Sequence, residues 1–303
     1  MHCLVTGATG FVGRALVPHL RAIGHEVTAW PRSGIFDLAG TPTDTTSTKW
    51  IAQLRGVDTV VHLAGLAHQQ RGTQARENYF RLNRDGTLRL AAAARAAGVK
   101  RFIFLSSVKV FGEGGAAIYN ELSQPTPRDA YAESKWQAEQ LLTERFAQTM
   151  ELVILRPPMV YGRAAKANFA NLMRLAQLPI PLPFAGIDNR RALIGLDNLI
   201  DLIALCLTSP DAAGKTLLCA DAKLYSLPDI ITAIRHALNR DSHLFRLPKP
   251  VLRVFEALLG SSASTRLFGD FQVDCSNTCA ALGWTPPFSM EQILRCDARD
   301  SRA

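Results

Sequence analysis

The sequence predicts an α/β protein built on an open, parallel, doubly wound sheet, and three observations carry that expectation. A glycine-rich turn, TGATGFVG at 6–13, lies between an apolar run and an amphipathic segment. Apolar strand-like runs recur later, in VDTVVHLAG, KRFIFLSSVKV and ELVILRPPMVYG, with helical stretches between them. Such alternation marks successive βαβ units and a parallel sheet. Length and composition agree, since 303 residues with 48% hydrophobic content can bury a sizeable core.

Taken in order, MHCLVT reads as the first strand and the glycine turn as its exit. Leu16, Leu20 and Ile23 are spaced for one helix face, Gly24 stands where a terminal glycine stops that helix, and VTAW opens a second strand. VDTVVHLAG is a buried strand, RDGTLRLAAAARAAGV a helix, and KRFIFLSSVKV the next strand. A long helix from about Asp129 to Gln148 leads into ELVILRPPMVYG. After Gly162 the character changes: QLPIPLPF at 177–184 cannot be helix interior, because proline removes a donor and clashes with the preceding turn. A second region starts there, with a helix in LPDIITAIRHALN and another after the paired prolines of LGWTPP, where Ser289 can act as N-cap.

Composition narrows the function classes. The net charge of +8 is spread without a basic run or interleaved aromatics, so no nucleic-acid partner is expected. A dianionic small ligand accounts for a positive bias equally well. The longest apolar run, LIDLIALCL at 199–207, is short and broken by Asp201, so no membrane span is expected. Thr6 and Gly7 arrive before any apolar leader could form, which gives a cytoplasmic location as the expectation. The six cysteines form no CxxC pair; Cys275 and Cys279 stand four apart, but no second pair or nearby His completes a metal set, and buried thiols are expected.

The glycine turn has the strand–turn–helix context that gives such a motif meaning. Gly7 permits the tight turn, Gly10 allows close approach of a pyrophosphate, and Gly13 allows helix and strand to pack, with Thr9, Phe11 and Val12 completing the loop. The free N–H groups of the helix start then face the anion. This makes residues 1–162 a Rossmann-type NAD(P)-binding domain and 163–303 mainly a smaller α/β substrate region, with the chain returning to the first domain around 193–222. Where NAD sites carry an acid for the ribose 2′-hydroxyl, this chain reads Trp30, Pro31, Arg32, Ser33. Arg32 and Ser33 suit a 2′-phosphate, so NADP is favoured over NAD; Asp37 and Leu38 are placed to reach the adenine.

Tyr131 and Lys135 fall in DAYAESKWQAEQ, four apart on one helical face. A phenol with an ordinary pKa near 10 is a poor acid or base at neutral pH, and a neighbouring ammonium favours its phenolate. Tyr131 can then exchange a proton with a sugar hydroxyl or ketone while hydride moves to or from a nicotinamide. Ser107, at the end of IFLSS, is placed to hydrogen-bond the same oxygen, with Ser106 as its inert neighbour.

TGATGFVG, LSSVKVFG, YAESK and LRPPMVYG together resemble the extended short-chain dehydrogenase/reductase family of the NAD-dependent epimerase/dehydratase type, over essentially the whole chain. SSVKVFGE, RPPMVYG, KANFANLMRL, DNRRALIGLDNL and LGWTPP are similar to bacterial nucleotide-sugar 4-ketoreductases and 4-epimerases of surface polysaccharide synthesis, including those of UDP-N-acetyl-quinovosamine and fucosamine formation. The resemblance implies a catalytic triad of Ser107, Tyr131 and Lys135, with Leu63, Ala64 and Gly65 beside the adenosine and Asn83 near the catalytic groups. It also implies that Pro157 and Pro158 pass the nicotinamide and that Asn168 and Arg191 hold the nucleotide diphosphate. Homodimers are common in the family.

Two departures bear on the chemistry. Val108 and Lys109 stand where nucleotide-sugar dehydratases carry an Asp-Glu pair, so dehydration lacks its acid and base. Met159 stands where many epimerases carry an Asn that binds substrate phosphate. Lys109 has two readings, a cation close to the reacting sugar or a strand-end lysine reaching solvent. The expected reaction is reduction of a UDP-4-keto-6-deoxy-N-acetylhexosamine at C4 with NADPH for O-antigen synthesis. Its alternative is a UDP-sugar 4-epimerase that recycles bound NAD, and a remoter one is a non-catalytic NADP(H) sensor.

Overall fold

A computed structural model describes residues 1–30, 44–67, 73–115, 117–162, 164–165, 167–248, 250–251 and 261–300. Six parallel strands form the main sheet: β1 (His2–Thr6), β2 (Glu26–Trp30), β3 (Thr59–His62), β4 (Arg101–Leu105), β6 (Glu151–Arg156) and β9 (Thr216–Leu218), in the order β2-β1-β3-β4-β6-β9. The order reverses between β1 and β3, and ligands of open α/β sheets bind in the crevice at that switch point. Their near-continuous apolar sequences follow from burial on both faces; every residue of β3 is buried, and Val60 and Val61 are fully so.

One face is covered by the helices Phe11–Ala22 and Leu196–Thr208, through Leu16, Leu20, Leu199, Ile203 and Cys206. The other is covered by helices including Thr87–Ala96 and Ala130–Phe146, through Leu90, Ala94, Ala138 and Leu142. The first helix ends one residue earlier than the apolar spacing predicts. Ile23 is its C-cap and 51% exposed, because Gly24 at φ +88° turns the chain before Ile23 can reach the core. The helix predicted from Arg84 begins earlier, at Thr73, and runs through a π-helical stretch, Phe80–Gly86, into Thr87–Ala96. A π stretch places side chains out of the usual phase and is frequent at functional sites. Here it presents Asn83.

The long helix spans Ala130–Phe146, with Asp129 as N-cap accepting from the Ala132 amide at 2.8 Å. After β7 (Met159–Tyr161) the chain forms the helix Ala167–Gln177, then β8 (Leu193–Gly195), which pairs with β7, and the helix Leu196–Thr208 before β9 joins the main sheet. The second region adds the helix Leu227–Ala237, capped by Ser226, and the C-terminal helix Met290–Asp300, whose Gln292 amide donates to Ser289 as predicted. β10 (Gln272–Val273) pairs with β5 (Ile118–Tyr119) and docks the second region beside the turn that follows Ser107. Among the described residues no helix is long and apolar enough to cross a membrane.

Candidate active site

The glycine cradle is built tightly. A Cβ on Gly13 would stand 2.3 Å from the Gly7 carbonyl oxygen, and one on Gly7, at φ +69°, would stand 2.9 Å from the Ala64 nitrogen. No side chain caps the helix start at Gly10 and its first turn carries no acid, so the terminal N–H groups remain available to an anion. These features fit a dinucleotide pyrophosphate, and a bound nicotinamide would supply or accept the hydride. Phe11, Val12 and Leu63 are partly buried against the core and so hold the loop's shape. Arg32, Ser33, Asp37 and Leu38 lie outside the described residues.

Strand ends and one helix converge beside this cradle. Ser107 caps a 3₁₀ turn, Val108–Phe111, its Oγ accepting from the Lys109 amide at 3.2 Å. The Val108 amide donates to the Pro157 carbonyl at 3.0 Å, which ties the buried Pro157–Pro158 segment to that turn. Tyr131 hydrogen-bonds Ser107 and meets the edge of the Tyr79 ring at 6.0 Å between centroids. Burial pushes the Tyr131 phenol up to about 12, the Ser107 hydrogen bond opposes this, and Asp129 and Tyr79 add to it. Burial thus outweighs the acidifying effect expected of Lys135, and Tyr131, like an ordinary phenol, is protonated at neutral pH, the form that donates a proton.

Lys135 is 4% exposed; its Nζ donates to the Leu105 carbonyl at 2.8 Å and lies 4.5 Å from the Phe104 ring centre. Burial lowers it to about 8, with the Glu139 carboxylate acting in the other direction. Asn83 is fully buried and makes three side-chain hydrogen bonds to two neighbours: its Oδ1 accepts from the Leu66 amide at 2.8 Å, and its Nδ2 donates to the Leu66 carbonyl and to Ser134 Oγ. Gly65 passes so close that a Cβ there would stand 3.0 Å from Asn83 Oδ1 and 3.3 Å from Lys135 Nζ. Gly65 thus packs against Asn83 and Lys135 as well as following β3. Ala64, 3% exposed, donates its amide to Thr6 Oγ1 at 3.3 Å.

Three supporting groups escape a motif-based reading. His62 is fully buried between Thr6 Oγ1 at 2.7 Å and Thr87 Oγ1 at 2.9 Å. Because the Thr87 hydroxyl donates to the Asn83 carbonyl at 2.7 Å, its oxygen accepts from His62 Nε2–H, and Nδ1 then accepts from Thr6. Burial lowers this imidazole to about 3, so it is a neutral strut between the glycine loop and the π stretch. Glu139, 2% exposed, receives Arg156 Nη2 at 2.5 Å and the hydroxyl of Ser106. Arg156 in turn lies over the Phe111 and Trp136 rings. Ser106 is therefore more than an inert neighbour of Ser107. The available signal was spacing: Tyr131, Lys135 and Glu139 each stand four apart on one face.

On the substrate side, Lys109 Nζ pairs with Asp129 at 2.7 Å and Glu113 at 3.6 Å. Arg191 donates through Nη1 to the Gly269 carbonyl at 2.6 Å, and its backbone bridges Tyr225 and Phe271. Burial lowers Arg191, while Asp270 and Glu113 favour its charged form, so Glu113 links it to the Lys109 cluster. Asn168 lies in the helix Ala167–Gln177, and its side chain is outside the described residues. Among the described residues no group of three or more His, Cys, Asp or Glu is placed to hold a metal.

A doubly wound sheet whose switch point carries a dinucleotide cradle and a Ser–Tyr–Lys cluster defines a short-chain dehydrogenase/reductase-type enzyme. The chain belongs to the NAD dependent epimerase/dehydratase family, whose model matches residues 3–220. It is 39% identical over 315 residues to the UDP-glucose 4-epimerase of Vibrio cholerae, covering 98% of this chain and 94% of that one. Among solved structures it resembles MoeE5 in complex with UDP-glucose and NAD, with a TM-score of 0.76, 23% identity, and coverage of 100% of this chain and 99% of that one. RMD from Pseudomonas aeruginosa complexed with NADPH gives a TM-score of 0.73 and 22% identity, with 99% of this chain and 98% of that one covered.

Proposed function

We propose that this enzyme exchanges hydride between a nicotinamide cofactor and C4 of a UDP-sugar, and that its physiological direction is reduction of a UDP-4-keto-6-deoxy-N-acetylhexosamine. The observation that carries the reading is the convergence of Ser107, Tyr131 and Lys135 beside the glycine cradle. Tyr131, protonated at neutral pH, donates to the nascent C4 alkoxide while Ser107 holds that oxygen and Lys135 supplies positive charge nearby. Arg191, with Asn168, holds the diphosphate. Arg32 and Ser33, without a carboxylate at the end of β2, favour NADPH. A homodimer working in the cytoplasm on surface polysaccharide precursors is consistent with the family resemblance.

A second reading, 4-epimerisation with recycled NAD, is favoured by the 39% identity to a UDP-glucose 4-epimerase. Purified protein given the 4-keto sugar and NADPH separates the two by absorbance. Stoichiometric NADPH oxidation supports reduction, whereas interconversion of UDP-sugar epimers without net oxidation supports the second reading and overturns the first.

A further inference from the structure

The carboxylate nearest the start of the catalytic helix poses an electrostatic problem. Asp129 stands two residues before Tyr131 and caps their shared helix, and its negative charge disfavours a phenolate at Tyr131. A residue from a different element meets that charge. Lys109, on the 3₁₀ turn after β4, places Nζ 2.7 Å from Asp129 Oδ2, while its own backbone amide donates to Ser107 Oγ at 3.2 Å. One residue therefore touches the cap of the Tyr131 helix with its side chain and Ser107 with its backbone. Because Ser107 Oγ accepts from that amide, its hydroxyl proton is free to be donated and a second lone pair can meet Tyr131.

We propose that Lys109 is a positioning residue: its ammonium, clamped on Asp129, offsets the carboxylate beside Tyr131 and fixes the separation of Ser107 from the catalytic helix. This rests on the hydride-exchange reading and gives Lys109 a role different from both of its sequence readings, a cation close to the reacting sugar and a strand-end lysine reaching solvent. Among the described residues, other groups lie on or beside the Tyr131 helix. Tyr79 packs against its ring from the preceding helix, Lys135 lies one turn on, and Glu133 is paired with Arg76 at 2.8 Å. Glu113 approaches Lys109 at 3.6 Å and competes with Asp129 for the same ammonium.

The test titrates the phenolate by ultraviolet difference against Tyr131→Phe, with a fluorinated tyrosine incorporated at Tyr131 so that its more acidic phenol ionises while the Lys109 ammonium is still charged, with NADP⁺ bound and no sugar present, in otherwise wild-type protein, Lys109→Met, Lys109→Arg and Lys109→Met/Asp129→Asn. Lys109→Met should move the titration upward by about one pH unit, the size of effect a nearby charge exerts. Lys109→Arg should recover most of that shift. The double variant should return close to wild type, because removing the carboxylate removes the need for the cation, and Asn still caps the helix. In turnover, Lys109→Met should lower kcat about tenfold with KM for the sugar within about twofold, the kinetic equivalent of that shift. Circular dichroism and NADP⁺ binding establish that each variant is folded. A raised KM with unchanged kcat, or a double variant that titrates like Lys109→Met, would overturn the proposal. Wild type that titrates as expected but turns over no UDP-sugar would instead break the functional reading and leave this one standing.

Discussion

Among the described residues the first half of the molecule buries more polar groups than the second, and the two sets serve different ends. At the carboxyl edge of the main sheet, buried polar networks run toward the proposed catalytic groups: His62 through Thr87 to Asn83, and Glu139 with Arg156 beneath Ser106. In the second region they run into backbone. Arg235, 3% exposed, donates to the carbonyls of Ala176, Leu178, Ile180 and His243, and so fastens the proline-rich segment that no helix or strand can hold. At the joint between the two regions, Asp221 joins the Tyr161 hydroxyl at 2.5 Å, the Asn198 side chain at 2.7 Å and the Gly195 amide at 3.0 Å, locking the returning helix to β8. Under the proposed function the first wiring sets atoms for chemistry, while the second fastens backbone. Breaking each should therefore be felt in different parameters.

The largest effect belongs to the catalytic edge. Tyr131→Phe should lower kcat by about a thousandfold, within the range attributed to a positioned proton donor, while cofactor affinity measured by fluorescence stays unchanged. Next, Arg156→Met leaves the Glu139 carboxylate buried without its partner. A cost of about 3–5 kcal/mol in urea unfolding is expected. Ser106 and the catalytic helix move with it, so kcat should fall as well. Retained activity at lowered stability would erase the contrast between the two regions. Arg235→Met tests the other side: about 2 kcal/mol of stability should be lost as buried carbonyls go unpaired, with KM for the sugar raised and kcat kept. A fall in kcat at unchanged KM would show that the second region reaches the chemistry.

The last prediction is an acid dependence. The folded protein keeps His62 neutral, with its pKa lowered from 6.5 to about 3, so between those values the unfolded chain binds the extra proton. Stability should be full above 6.5 and decline as pH falls through that window. Urea midpoints at about pH 7 and about pH 5 measure it, and His62→Gln should flatten the slope.

Much of this was legible in the chain because the glycine cradle and the Tyr131–Lys135 spacing are local patterns, enforced by a tight turn and by helical periodicity. The long helix, the Ser289 cap and the break at the proline run were legible for the same reason. Ile23 was misplaced because apolar spacing continues past the point where Gly24 turns the backbone. The π stretch left no periodic signature, so the helix carrying Asn83 starts eleven residues before the predicted Arg84. His62 read simply as part of an apolar strand, since its partners Thr6 and Thr87 are distant in sequence. Lys109 kept two readings for a similar reason: Asp129, which claims it, lies twenty residues away.

The most direct measurement of the central claim uses NADPH carrying deuterium at the transferable position of the nicotinamide, incubated with the protein and a UDP-4-keto-6-deoxy-N-acetylhexosamine. Deuterium at C4 of the product sugar, absent with Tyr131→Phe, is the predicted result. A folded, cofactor-binding protein that leaves no label at C4 would contradict the account.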